Sequence, residues 1–173
     1  MKGGVALPFM RFDPSISLGT MPVGATAGLQ YRMILEKYFG LWVELNYQQR
    51  GFCTSDNVRR QFDYIELPLL AHFTFGKRMF RFYFNLGPEI AVMVKDYGGA
   101  LPEYPVSSRF DYGLTGGVGF ELDTKAGIYS LGGRYVFGMG NVFASDRNPL
   151  ITSGNQVIEV TLGWMWKMPQ KTH

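Results

Sequence analysis

The chain lacks the features of several common protein classes. It has no apolar run near the ~18 residues that a membrane-spanning helix needs, and residues 90–94 are a typical short one. A single cysteine, Cys53, excludes an internal disulfide, and two histidines with one cysteine argue against a transition-metal site. Charged residues make up only 18%, and the net charge of +3 comes from scattered Lys and Arg. We therefore expect no metal, no cofactor and no nucleic-acid partner.

The start of the chain carries no recognisable export signal. Lys2 is followed by a short glycine-rich stretch, without the apolar core and small-residue cleavage site of a signal peptide. If the protein is exported, we expect its signal to be absent from this chain. The length of 173 residues predicts a single domain covering residues 1–173.

What the chain has instead is aromatic residues, glycine and a two-residue alternation. Aromatics reach 16%, and there are 22 glycines. In the segment 64–75, Leu67, Leu69 and Phe73 fall on one side of a strand, whereas Glu66 and His72 fall on the other. Segments of about ten residues with this alternation, separated by turn residues, are typical of transmembrane β-barrels.

The alternation recurs in eight segments along the whole chain. They are residues 2–11, 22–34, 39–51, 62–75, 79–95, 109–123, 127–139 and 155–168. Three connections are short (35–38, 76–78, 124–126), and four are long and rich in turn residues (13–21, 52–61, 96–108, 140–154). This pattern predicts an all-β fold, an eight-stranded antiparallel up-and-down transmembrane β-barrel with short periplasmic turns and long extracellular loops.

A soluble barrel of the lipocalin type is the structural alternative. It would turn the apolar faces inward, but they are too bulky for the interior of eight strands. We expect lipid contact instead for four mid-strand residues, Leu67, Phe82, Val118 and Leu162. Aromatics near strand ends are expected to anchor the barrel at the membrane surface: Tyr38, Phe39, Trp164 and Trp166 at the short-turn rim, and Tyr47, Phe52, Tyr97 and Phe110 toward the other.

The order of several motifs resembles the PorT-like family of small outer-membrane β-barrels of Gram-negative bacteria. The matching segments are 44–52 (ELNYQQRGF), 64–70 (YIELPLL), 85–89 (NLGPE), the glycine-rich stretch 113–120, and 131–135 (LGGRY) with Gly138 shortly after. The resemblance implies an eight-stranded barrel in the bacterial outer membrane. Most members of the family have no known activity, a few are associated with protein secretion, and no catalytic residues are implied.

Charged residues and one histidine fall on the faces that point into the predicted lumen. They are Arg32, Glu44, Glu66, His72, Arg81, Glu89, Glu121, Arg134 and Glu159. A charge in so narrow an interior must be paired, because a lone desolvated charge costs several kcal/mol. We expect the four acids Glu44, Glu66, Glu89 and Glu159 to face Arg32, Arg81 or Arg134. A polar plug is the favoured interpretation, and a proton path or ligand site is the alternative.

Catalysis has little support in the sequence. The one enzyme hypothesis is a lipid A acyl hydrolase or transferase built on His72, with Glu66 and Ser130 as partners. Glycines 116, 117 and 119 form no complete phosphate-binding pattern, and we expect them to give room to bulky lumen side chains. The sequence therefore predicts a protein that is not an enzyme.

The long loops are the predicted site of function. Tyr97, Leu101 and Tyr104 lie in or beside the loop 96–108, and Phe143 lies in the last long loop. Exposed aromatics on loops are plausible contacts for another protein. We expect a monomeric outer-membrane barrel in contact with lipid, with a structural or interaction role at the cell envelope, accessory to protein secretion in one version of this hypothesis.

Overall fold

The computed structural model describes residues 1–13, 23–53, 59–77, 79–97, 109–140 and 152–166. These residues form the strands β1 (Lys2–Asp13), β2 (Gly24–Ile34), β3 (Phe39–Cys53), β4 (Arg59–Lys77), β5 (Phe80–Tyr97), β6 (Phe110–Thr124), β7 (Gly127–Gly138) and β8 (Thr152–Met165). Within the described ranges, the chain contains no helix of the length and hydrophobicity needed to cross a membrane. The predicted strands are confirmed, with each end displaced by about three residues or fewer.

The strands close into one antiparallel barrel in chain order, from β1 round to β8. The closing pair runs from Lys2 opposite Gly163 to Asp13 opposite Thr152, so the first and last strands are joined along the whole of β1. The strands β4 and β5 have 19 and 18 residues. Because a tilted strand crosses a bilayer in about 9–11 residues, both are long enough to extend beyond it.

The outer surface of the barrel is apolar. The strand β5 alternates between exposed and less exposed residues along most of its length, as a barrel strand must. The four predicted lipid contacts, Leu67, Phe82, Val118 and Leu162, expose between 38% and 67% of their surface. A soluble protein rarely exposes so continuous an apolar surface, because water would drive it to associate. The soluble lipocalin-type alternative is therefore wrong, since it needs these faces to point inward.

Aromatic pairs lie near the short-turn end of the barrel. The rings of Tyr38 and Phe75 stack with centroids 6.2 Å apart, and Phe39 lies 5.2 Å from Phe73. Trp164 and Trp166 meet edge to face at 5.9 Å, where the chain leaves β8. Such girdles lie at the headgroup level of outer-membrane barrels.

Glycines give room to one large interior ring. A Cβ at Gly119 would lie 2.5 Å from the Tyr83 ring, and one at Gly132 would lie 2.1 Å from its hydroxyl. The strands β6 and β7 therefore pass Tyr83 only because both positions lack a side chain. This agrees with the space-giving role predicted for Gly119. A Cβ at Gly116 would meet the outward-facing Leu86 at 3.5 Å and the Asn85 carbonyl at 3.7 Å, so the prediction is wrong for Gly116.

Candidate functional site: the charged lumen

The predicted lumen residues all lie on the inward faces of their strands. Six are buried: Glu44, Glu66, His72, Glu89, Glu121 and Glu159. Three arginines are less enclosed: Arg32, Arg81 and Arg134. The period of two places them there, because a strand with an apolar outer face must turn its polar residues into the barrel. The charged residues fall into three groups, and His72 is described after them.

The first group, here called the paired cluster, consists of Lys2, Glu44, Arg134 and Glu159. Arg134 donates to Glu44 from both terminal nitrogens, at 2.6 and 2.8 Å, and Lys2 Nζ lies 2.7 Å from the same carboxylate. Lys2 is also 3.7 Å from Glu159, which lies directly opposite Arg134 in the β7–β8 register. Two acids thus meet two bases, and the bidentate Arg–carboxylate geometry is the strong form of such a pair.

The second group, the Arg50 cluster, has one base and three acids. The guanidinium of Arg50 donates from Nη2 to Glu66 at 2.5 Å and to Glu89 at 3.1 Å, and from Nη1 to Asp111 at 3.3 Å. Its face lies 4.8 Å from the centre of the Tyr64 ring. A single buried cation therefore serves three carboxylates in this group.

Gln48 joins the two clusters across the lumen. Its carbonyl oxygen accepts a hydrogen bond from Arg50 Nε at 2.6 Å, and its amide nitrogen donates to Glu159. Both ends of this buried amide are thus occupied by charged partners. The bridge ties β3 to β8 through the interior, in addition to the backbone ladders.

The third group, the mouth cluster, lies toward the short turns. Arg32 and Glu121 form a hydrogen-bonded ion pair, and Arg81 Nη2 lies 3.5 Å from Glu121 and 3.1 Å from Asp123. The charges balance within this group. It joins β2, β5 and β6 at the end of the barrel where the connections are tight.

His72 is held from both ring nitrogens. Its Nε2 lies 2.6 Å from the Thr74 hydroxyl and 3.3 Å from Arg32, and its Nδ1 lies 2.6 Å from Asn85 Oδ1. Because Arg32 can only donate, Nε2 accepts and Nδ1 donates to Asn85. The ring also packs edge-on against Trp42, with centroids 4.8 Å apart. These contacts fix the tautomer and orientation of the imidazole.

The residues of the enzyme hypothesis have separate partners. Glu66 pairs with Arg50, and Ser130 lies opposite Gly163 in the β7–β8 register. His72 instead bonds to Thr74, Arg32 and Asn85. The described hydrogen bonds of His72 thus include neither Glu66 nor Ser130.

Two bases of the network were missed in the sequence, and one pairing prediction is wrong. Glu44 does face Arg134, but Glu66 and Glu89 pair with Arg50 and not with the predicted arginines. Arg50 continues the inward face of β3 two residues after Gln48, so strand parity alone could have found it. Lys2 gave no such signal, because the glycines that follow it hide the alternation of β1.

The predicted partner-binding residues lie mostly outside the described part of the chain. Tyr97, the last residue of β5, is 53% exposed, and Lys95 Nζ lies 5.8 Å from its ring centre. Leu101, Tyr104 and Phe143 lie outside the described residues, as does most of each long loop.

A closed barrel with an apolar outer surface and a charged interior defines the class of transmembrane β-barrels. Residues 1–144 match the family model described as outer membrane protein beta-barrel domain. The chain belongs to this family, and its location is the bacterial outer membrane. No curated protein matches the chain in a sequence comparison.

Solved structures of small outer-membrane barrels share the fold. Ail, the attachment invasion locus protein of Yersinia pestis, was solved with the heparin analogue sucrose octasulfate; it is 18% identical, with a TM-score of 0.53 over 94% of each chain. OprG from Pseudomonas aeruginosa is 14% identical, with a TM-score of 0.57 over 94% of this chain and 92% of that one. At these identities, the similarity concerns the fold.

Proposed function

We propose that this outer-membrane barrel is an interaction protein of the cell envelope, whose extracellular loops bind another protein and whose lumen is a structural plug. The observation that carries the proposal is the network of buried charges across the lumen. In a finer version, based on the PorT-like motifs, the partner belongs to a protein secretion system. In this proposal the barrel acts as a monomer and performs no catalysis.

The lumen network supports a plug because its members come from opposite walls of the barrel. Arg134 on β7 reaches Glu44 on β3, and Arg50 on β3 reaches both Glu89 on β5 and Asp111 on β6. Breaking one buried pair costs about 3–5 kcal/mol. Opening a passage would separate several such pairs, so we expect no stable, large conductance in single-channel recordings.

The contacts of His72 support a non-catalytic lumen. A general base needs a free nitrogen within reach of its substrate or nucleophile. Both nitrogens of His72 are within hydrogen-bond distance of fixed side chains, and the ring is buried against Trp42. These features are those of a satisfied interior histidine.

The loops are the remaining surface for specificity. In such barrels the rigid strands carry the long loops to the cell exterior, where sequence is free to serve recognition. Tyr97, at the base of one loop, is exposed, and Leu101, Tyr104 and Phe143 add apolar residues along the two longest loop sequences. Aromatic residues of this kind lose their contact with water when a partner binds, and they then form the centres of protein interfaces.

Loop shortening tests this proposal. Replacing residues 98–106 and 142–152 by tight turns should abolish cross-linking to the partner identified with the full chain, while the barrel keeps its heat-resistant gel mobility. The control is His72→Ala with both loops intact, which should keep the cross-link. If the loop-less barrel keeps full function and His72→Ala destroys it, the lipid-modifying enzyme replaces this proposal.

A further inference from the structure

The short-turn mouth of the barrel contains a cavity of about 520 Å³. Its wall includes the cations Arg32, Lys37 and Arg81, and Glu36 is the one acid among the described residues that line it. We propose that this cavity binds the phosphate group of a phospholipid headgroup from the periplasmic leaflet. This inference goes beyond the proposed function, because the site lies at the opposite rim from the long loops.

The ion pairs behind the wall balance the charges of its two arginines but leave some of their N–H groups unused. Glu121 and Asp123, the partners of the two arginines, do not line the cavity. Arg81 meets both acids through Nη2 alone, so its Nη1 carries neither of these carboxylates. Arg32 likewise makes its described bonds to Glu121 and His72 through Nη1. Both guanidiniums thus retain N–H groups that carry no carboxylate.

The wall also offers the donors that a phosphate prefers. A guanidinium presents its N–H groups as a planar fork that matches phosphate oxygens, and an ammonium adds a compact point charge. Lys37 supplies the ammonium from the β2–β3 turn, where its Nζ lies 5.1 Å from the centre of the Tyr38 ring.

The position of the cavity along the barrel axis favours a lipid headgroup as the source of the phosphate. Tyr38 and Phe39 line it, and the same two residues form the aromatic pairs of the short-turn rim with Phe75 and Phe73. Aromatic girdles mark the level of the lipid headgroups. Short turns of these barrels face the periplasm, so the headgroups at this level belong to the inner leaflet.

Titration of the purified barrel in uncharged detergent tests the site. The probes are glycerol phosphate and short-chain phosphatidylglycerol, with binding followed by isothermal calorimetry. Lys37→Gln should weaken binding of both by about threefold to tenfold, because one of three cations is lost. The matched control is Lys125→Gln, an exposed lysine in the β6–β7 turn of the same rim that does not line the cavity. It should leave the affinity unchanged.

A second variant tests whether Arg81 contributes to binding, without leaving the acids around it unpaired. Arg81→Gln combined with Asp123→Asn removes one charge of each sign, and it should weaken binding at least as much as Lys37→Gln. Phosphatidylglycerol that binds more tightly than glycerol phosphate, with this dependence on Lys37, supports the lipid site. Binding of glycerol phosphate alone overturns the lipid source in favour of a free phosphate ester. Equal weakening by Lys37→Gln and Lys125→Gln, or no binding of either probe, overturns the site.

Discussion

The paired cluster and the Arg50 cluster neutralise buried charge in opposite ways. In the paired cluster, one carboxylate, Glu44, receives two cations, and both of its oxygens are bonded. In the Arg50 cluster, one guanidinium is divided among three carboxylates. Glu66 and Glu89 each keep one buried oxygen that has no hydrogen-bond partner among the described atoms. In the first cluster, both cations therefore converge on Glu44, with Glu159 as a second acid 3.7 Å from Lys2. In the second cluster, Arg50 is the one base that three acids share.

The difference predicts which substitutions the lumen tolerates. Removing the residue on which several opposite charges converge leaves those like charges close together in a low-dielectric interior, and this costs the most stability. Removing one of the like charges that share such a partner lowers the repulsion among the like charges that remain. The same chemical change, Glu to Gln, should therefore have a large effect in one cluster and a small effect in the other.

The largest effect is expected from Arg50→Met. The substitution leaves Glu66, Glu89 and Asp111 without the cation they share, and it should lower the free energy of unfolding by about 5 kcal/mol, at the upper end for a broken buried pair. Urea unfolding in lipid vesicles, followed by tryptophan fluorescence and gel mobility, measures this loss. The control is Arg81→Met, whose more exposed side chain at the mouth should make the loss smaller. Equal losses of unfolding free energy would contradict the role of Arg50 as the base that three buried acids share.

A smaller but still large effect is expected from Glu44→Gln. The amide nitrogen of Gln would face Lys2 and Arg134, which can only donate, and the free energy of unfolding should fall by about 3 kcal/mol. The same urea unfolding measures it. Adding Lys2→Met to this variant should restore part of the loss, because it removes one of the cations left unpaired. A double variant that is less stable than Glu44→Gln would contradict the paired arrangement.

The strand faces could be predicted from the sequence because a barrel in lipid imposes a strict alternation. Leu67 and Glu66 are adjacent in the chain, and the bilayer and the lumen are the only two environments available to them. The three short turns leave no choice but neighbouring pairs for the strands they join, and the alternation of short and long connections predicted the up-and-down order of the rest. These local signals identified the outward faces of the strands with clear alternation and the inward direction of most charged residues.

The partners across the lumen could not be predicted in the same way. Glu44 and Arg134 are 90 positions apart and lie on β3 and β7, which do not pair. Their contact depends on strand tilt and on the relative register of every intervening strand, neither of which is encoded in one segment. Arg50 was available from parity, but its choice of Glu66 and Glu89 was not.

The smallest effect, and the sharpest contrast with Glu44→Gln, is expected from Glu89→Gln. The new amide oxygen can still accept from Arg50 Nη2, which now lies 3.1 Å from the Glu89 carboxylate. Its amide nitrogen can donate to Glu66, whose own bond to the same Nη2 is 2.5 Å and whose second oxygen has no hydrogen-bond partner among the described atoms. The free energy of unfolding should therefore change by less than about 1 kcal/mol, in either direction. Measured side by side in the same vesicles, the two Glu-to-Gln variants should differ by about 2 kcal/mol or more. Equal losses would show that Glu44, which binds two cations, matters no more than Glu89, which shares one.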